Sequence, residues 1–294
     1  MKHTWQITLL LVGIFFLAQV IGLVVIQQYI DPAALQQGKI EWGNLPLNIE
    51  RPQMEESKSF AYLFTAIILG TLLFLLLIKI KAFAFWKLWF FLAVFITLSI
   101  SFHAFLPQVI AVVLALILGF YKIFKPNLYI HNLTELFVYG GLAVIFVPVL
   151  NLLSVSMLLL LISLYDMFAV WKSKHMIKLA KFQAEMKIFA GLFIPYQRPV
   201  RGKLPATEGR RVKSAVLGGG DIGFPLLFGG VVLKGLLLQH PPSLALLYAL
   251  LVPTMTALAL LFLLLKARED RFYPAMPFLM LGCFVGYGFL YLLQ

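Results

Sequence analysis

Long apolar runs separated by short polar or basic joints dominate the chain. A helix needs about 20 consecutive apolar residues to cross a bilayer. Nine segments of this kind follow one another: Ile7–Ile30, Phe60–Ile80, Phe85–Phe102, Ala104–Phe124, Leu133–Leu150, Leu152–Trp171, Ala215–Leu238, Ser243–Leu265 and Pro274–Leu293. The third and fourth divide near Ser101-Phe102-His103 and Pro107, and the fifth and sixth at Pro148-Val149-Leu150-Asn151. Neither pair fits a bilayer as a single helix. A polar, proline-containing stretch, Asp31 to Ser59, follows the first segment, and a basic one, Lys172 to Lys213, follows the sixth. The pattern predicts an all-α polytopic membrane protein of about nine transmembrane helices. Its parts are a six-span region (1–171), a basic loop (172–213) and a three-span region (214–294).

Composition agrees and charge adds orientation. The chain is 62% hydrophobic and only 12% charged, against about 25% charged in soluble domains. A net charge of +12 in a soluble protein suggests nucleic acid, but its distribution gives another reading. If the spans alternate, one side receives 20 of the 24 Lys and Arg, including the eleven of the 172–213 loop. Positive charge gathers on the cytoplasmic face. The expectation is therefore a cytoplasmic amino terminus, an outside carboxyl terminus, the lipid bilayer as partner, no nucleic acid, and a multi-pass place in the cell membrane. One cysteine, Cys283, excludes an intramolecular disulfide and a multi-Cys zinc site. The first span is longer than a signal-peptide core and lacks a small-residue cleavage site, so no cleavable leader is expected.

Two acidic residues sit well inside apolar segments, Asp166 in Leu164-Tyr165-Asp166-Met167 and Asp221 in Gly218-Gly219-Gly220-Asp221. An intramembrane carboxylate costs roughly 2.5–3.5 kcal/mol on insertion scales and is a functional-site candidate by default. Asp166 precedes Lys172 in an inward span, and Asp221 follows Lys213 in an outward one. At helical rise, both lie about 9–12 Å from the cytoplasmic ends of consecutive antiparallel spans. Two neighbouring carboxylates cannot both ionise cheaply, so they share a proton. One acid and one base at a single site is what attack of water on an amide needs. Gly218, Gly219, Gly220 and Gly223 remove bulk around Asp221 and ease unwinding of the helix there.

Tyr165-Asp166, Gly218-Gly219-Gly220-Asp221 and Pro274-Ala275-Met276, in this order across nine spans, resemble the signature set of the presenilin and signal-peptide-peptidase family of intramembrane aspartyl proteases. That family's motifs are Tyr-Asp, Gly-x-Gly-Asp and Pro-Ala-Leu; Met276 stands where the family has leucine, a substitution of similar size. The resemblance implies a presenilin-like fold and an endopeptidase that hydrolyses peptide bonds within transmembrane segments of other proteins. By carry-over, Asp166 and Asp221 are the catalytic pair. Tyr165, Gly218, Gly219, Gly220, Pro274, Ala275 and Met276 shape the site and bind substrate. No metal or other cofactor is implied. Substrate enters locally extended, by strand addition beside the site, and the derived orientation resembles presenilin, implying substrates with an outside amino terminus.

Other readings stand beside these. The same aspartates could bind a coupled proton or cation in a transporter or leak channel, or the chain could be an inactive scaffold. Prepilin peptidase shares the Gly-x-Gly-Asp aspartate but not the nine spans. Gly282-x-x-x-Gly286 reads as a close-packing seam, and Pro274 and Pro277 as a helix start. His103, His131 and His175 are expected at interfaces, without metal-ligand spacing. Glu135 and Lys234 are expected to snorkel or pair near span ends. The glycosylation pattern Asn132-Leu133-Thr134 falls near the cytoplasmic face and is discounted. Apolar residues from Met176 to Phe189 recur at helical spacing among lysines, predicting a basic amphipathic helix on the inner face, and Arg198–Lys213 reads as a flexible linker.

Overall fold

Nine apolar helices carry the computed structural model, which describes residues 4–173, 189–195, 214–267 and 273–293. They are α1 (Trp5–Gln28), α2 (Ser59–Lys79), α3 (Phe83–His103), α4 (Gln108–Phe124), α5 (Leu128–Phe146), α6 (Leu152–Phe168), α7 (Gly219–Leu236), α8 (Pro242–Lys266) and α9 (Met276–Leu293). Eight are long and apolar enough to cross a membrane; α4, with 17 residues, is the shorter ninth. The amphipathic helix expected up to Phe189 and the basic linker from Arg198 lie outside the described residues, apart from Phe189 itself.

Local chemistry moves several boundaries from their expected places. Pro107, lacking an N–H, starts α4 at Gln108 rather than near Ala104. The Asn127 side chain accepts the Tyr129 amide at 2.9 Å and starts α5 at Leu128, five residues before the expected Leu133. His131 is therefore buried in the first turn of α5 rather than at an interface, and Glu135, one turn on, is buried and pairs with Lys122, as its expected pairing near a span end suggested. Asn151 caps α6 through the Ser154 amide, 2.8 Å away. In α8 the helix breaks at Leu250, where Pro253 supplies no amide to the preceding turn. The ninth helix starts at Met276 rather than Pro274, and the seventh at Gly219 rather than Ala215.

The expected helical membrane fold holds, and the seventh boundary adds one small feature to it. Residues Gly191–Pro195 (β1) and Ser214–Gly218 (β2) form an antiparallel hairpin, paired from Gly191 with Gly218 to Pro195 with Ser214. Residues 215–218 were expected to be helical. Alternation explains the difference: Leu192, Ile194, Ala215 and Leu217 are buried while Val216 between them is exposed, a period of two that suits a pleated ribbon. Gly191 adopts φ +139°, and a Cβ there would lie 2.1 Å from the Leu217 carbonyl oxygen, so only glycine fits.

α7 is the central rod. Two thirds of it (67%) is buried, against 11% of the most apolar stretch of α2, which faces outward. α1 packs on α5, α7 and α8, and α9 packs on α6, α7 and α8. The expected seam on α9 is present: a Cβ on Gly282 would meet Thr256 Cα at 2.7 Å, and one on Gly286 would meet Val252 Cα at 2.7 Å. A second cluster, around Leu98, Phe102, Ala111 and Ala115, joins α3 to α4. The 31–58 segment folds back on the bundle, with Arg51 donating to the Gly43 carbonyl at 2.8 Å and the Val144 carbonyl at 3.3 Å. Lys234 of α7 pairs with Glu56 of this segment at 3.2 Å, as its position near a helix end suggested.

Candidate active site

Three helix ends converge on a cavity of about 190 Å3. Ile162, Tyr165 and Asp166 enter it from one face of α6, spaced by three and four residues as a helical face requires. Gly220, Asp221 and Phe224 enter from the first turns of α7, with Gly218 just ahead of them at the end of β2. Tyr273, Ala275 and Met276 close the third side at the start of α9. Of the residues marked in the sequence, Tyr165, Asp166, Gly218, Gly220, Asp221, Ala275 and Met276 meet here. Gly219 and Pro274 do not line the cavity. Gly219 turns instead toward α5, where an added Cβ would lie 2.7 Å from the Tyr139 hydroxyl.

Each aspartate is met by main-chain amides at a helix start. Asp166 is 8% exposed, and its Oδ2 accepts the Met276 amide at 3.1 Å, with the Ala275 amide beside it. The first amides of α9 have no partner within their own helix, so the carboxylate supplies one. Asp221 lies in the first turn of α7, where the helix dipole favours negative charge, and the Gly218 amide faces its carboxylate. A Cβ on Gly218 would approach Asp221 Oδ2 to 3.3 Å. The two carboxylates lie within electrostatic reach of each other. The expectation of a helix from Ala215 placed Asp221 well along a rod, eight residues after Lys213; residues 214–218 are in fact extended, and Asp221 reaches the cavity at the junction of strand and helix.

Behind the cavity is a polar support that the sequence did not reveal. Gln19 of α1, 1% exposed, donates to the Ile222 carbonyl at 2.8 Å, next to Asp221. On α5 the Tyr139 hydroxyl donates to Glu135, which also takes the Lys122 ammonium of α4. Lys122 further donates to Thr134 Oγ1 at 3.1 Å. The Tyr139 ring packs against Gly219 and Gly223. Polar residues within predicted spans at 19, 122, 135 and 139 were the available signal.

Another cavity, about 300 Å3 beside Gln28, Tyr29, Asn44 and His103, has no carboxylate in its lining. Among the described residues no three His, Cys, Asp or Glu side chains converge in a way that could hold a metal ion. The cavity at the aspartates instead offers two carboxyls, donated amides and room for a small group, an arrangement able to polarise water against a carbonyl.

Residues 12–293 match the family described as signal-peptide peptidase, presenilin aspartyl protease. The fold is similar to that of a presenilin family intramembrane aspartate protease solved in two crystal forms. The C222 form has a TM-score of 0.60 at 18% identity, covering 96% of this chain and 99% of that one. The P2 form has a TM-score of 0.62 at 18% identity, covering 99% and 100%. No individually curated protein matches the sequence.

Proposed function

The chain belongs to the signal-peptide peptidase and presenilin aspartyl protease family, and from that premise we propose that Asp166 and Asp221 are its catalytic pair. The protein is an intramembrane aspartyl protease, a hydrolase embedded as a multi-pass membrane protein. The observation that carries the assignment is that the two aspartates enter one cavity, each met by amides from a helix start.

One carboxyl holds the shared proton while the other is ionised. The ionised carboxylate takes a proton from water as the water oxygen attacks the scissile carbonyl carbon. The protonated carboxyl gives its proton to the carbonyl oxygen, forming a neutral gem-diol. Collapse returns one hydroxyl proton to a carboxylate and delivers a proton to the amide nitrogen, and the C–N bond breaks. Tyr165, Gly218, Gly220, Ala275 and Met276 shape the cavity around the peptide, while Gly219 acts from behind it, against Tyr139, and Pro274 leads the chain into Ala275 and Met276.

A transmembrane substrate hides its amides in its own helix, so it must extend before it can be cut. The outer edge of β2 suits an extended peptide. Phe193 and Val216 are paired across the hairpin, and Phe193 spends its own N–H and C=O on α5. Alternation in an antiparallel ladder then turns the main-chain groups of Val216 and Gly218 to the far edge of β2, toward Asp221. We assign the amino terminus to the cytoplasm of the cell membrane from the bias of basic residues, which favours substrates with an outside amino terminus.

The test is purified protein in lipid vesicles with a single-span reporter substrate. Asp166→Asn and Asp221→Asn should each lower the rate by about 10³-fold or more, and an aspartyl-protease transition-state analogue should block cleavage. Cleavage surviving either substitution, or ion flux in its place, overturns the assignment.

A further inference from the structure

His131 and Asn132 of α5 are occupied by the hairpin. The Asn132 side chain donates from Nδ2 to the Phe193 carbonyl at 2.8 Å and accepts the Phe193 amide on Oδ1 at 3.0 Å. One side-chain amide thus reproduces both hydrogen bonds that a neighbouring strand would make to Phe193. One residue earlier, His131 Nε2 lies 2.8 Å from the Gly191 carbonyl, two residues along the same edge, and so donates to it. His131 is buried, 5% exposed. On its other side β1 is held by β2, and the Gly219 amide extends that ladder to the Ala190 carbonyl at 3.0 Å.

We propose that His131 and Asn132 act as a built-in third strand, closing the β1 edge so that an extended substrate can pair only with β2. The inference rests on the proteolytic reading above. A bare two-stranded hairpin is marginal in isolation and has two open edges. A peptide on the outer edge of β1 would lie three strand spacings, about 14 Å, from one on the outer edge of β2. At that distance it cannot reach Asp166 and Asp221. The edges are therefore not equivalent, and closing the unproductive one removes a competing mode of binding. The same contacts hold the hairpin in one register before substrate arrives, so the substrate need not order it. His131 and Asn132 are positioning residues: they act through β1 and touch neither carboxylate.

Asn132→Leu keeps the side-chain size and deletes both bonds to Phe193. In vesicles with the single-span reporter, KM should rise about ten- to thirtyfold, as two lost hydrogen bonds imply, with kcat changed less than about threefold. Mass spectrometry of the products should show cuts two residues to either side of the wild-type bond, since a slip of two preserves the alternation of side chains. Hydrogen exchange should be at least about tenfold faster at the Phe193 amide. His131→Phe should show the same trends, and His131→Gln, whose amide can reach the Gly191 carbonyl, should recover part of the loss; this pair carries the test should Asn132→Leu fail to fold. Unchanged KM, product masses and Phe193 exchange in folded variants overturn the inference and leave the protease intact. A wild type that cuts no reporter overturns the proteolytic reading instead, while Phe193 exchange still reports whether α5 closes the edge.

Discussion

Lys122 and Glu135 are a salt bridge with almost no access to solvent, their side chains 1% and 2% exposed. Removing one partner from such a pair strands a charge and costs about 3–5 kcal/mol, whereas replacing both with apolar groups is often neutral. Lys122→Met should therefore lower the melting temperature in detergent sharply, and Lys122→Met with Glu135→Leu should recover most of the loss. Glu135 also anchors Tyr139, whose hydroxyl backs Gly219. Gly219→Ala should cost about 1–3 kcal/mol through overpacking and reduce cleavage. Adding Tyr139→Phe, which removes the nearest atom, should return part of the activity, as a reporter assay of the single and double variants would show. The aspartates were legible because a charge within an apolar run has few innocent explanations. His131 was misplaced at an interface for a simple reason. The apolar run begins at Leu133, but the helix begins where Asn127 caps it, and a cap outranks hydropathy in fixing a start.

At the scale of elements, close approaches of backbone decide which glycines matter. A Cβ on Gly141 would lie 1.9 Å from the Thr97 carbonyl oxygen, so α5 and α3 meet there main chain to main chain. Gly70 of α2 has nothing within 4 Å of that position. Gly141→Ala should destabilise by about 3 kcal/mol or more, and Gly70→Ala should be neutral or slightly stabilising, both read by thermal unfolding in detergent. The nine helices could be read from length and hydropathy alone, and the glycine seam on α9 from its spacing. The hairpin could not. Ala215-Val216-Leu217 adjoins the apolar run of α7, and a short apolar run has no periodicity of its own to separate strand from helix. What makes it a strand is β1, contributed from within the basic loop, and pairing of that kind is tertiary information.

At the scale of the molecule, the orientation proposed from the bias of basic residues can be tested because the chain has a single cysteine. Cys283 is fully buried, with Sγ 3.4 Å from Thr256 Oγ1. A membrane-impermeant maleimide should leave the wild-type protein unlabelled. Gln37→Cys, exposed in the first loop, should label in intact cells. Lys125→Cys, exposed after α4, should label only after the membrane is opened. The reverse pattern would invert the assigned topology. Folding order also bears on the site, because Asp166 and Asp221 belong to segments joined by the long basic loop, and Asp166 is held by the start of a third, α9, that is made after both. Val216 and Asp221 are five residues apart on one unbroken backbone. Whatever tugs on the strand drags the acid with it. A poorly fitting guest thus spoils the hydrolytic geometry directly, so that selectivity and turnover rise and fall together along a single short lever.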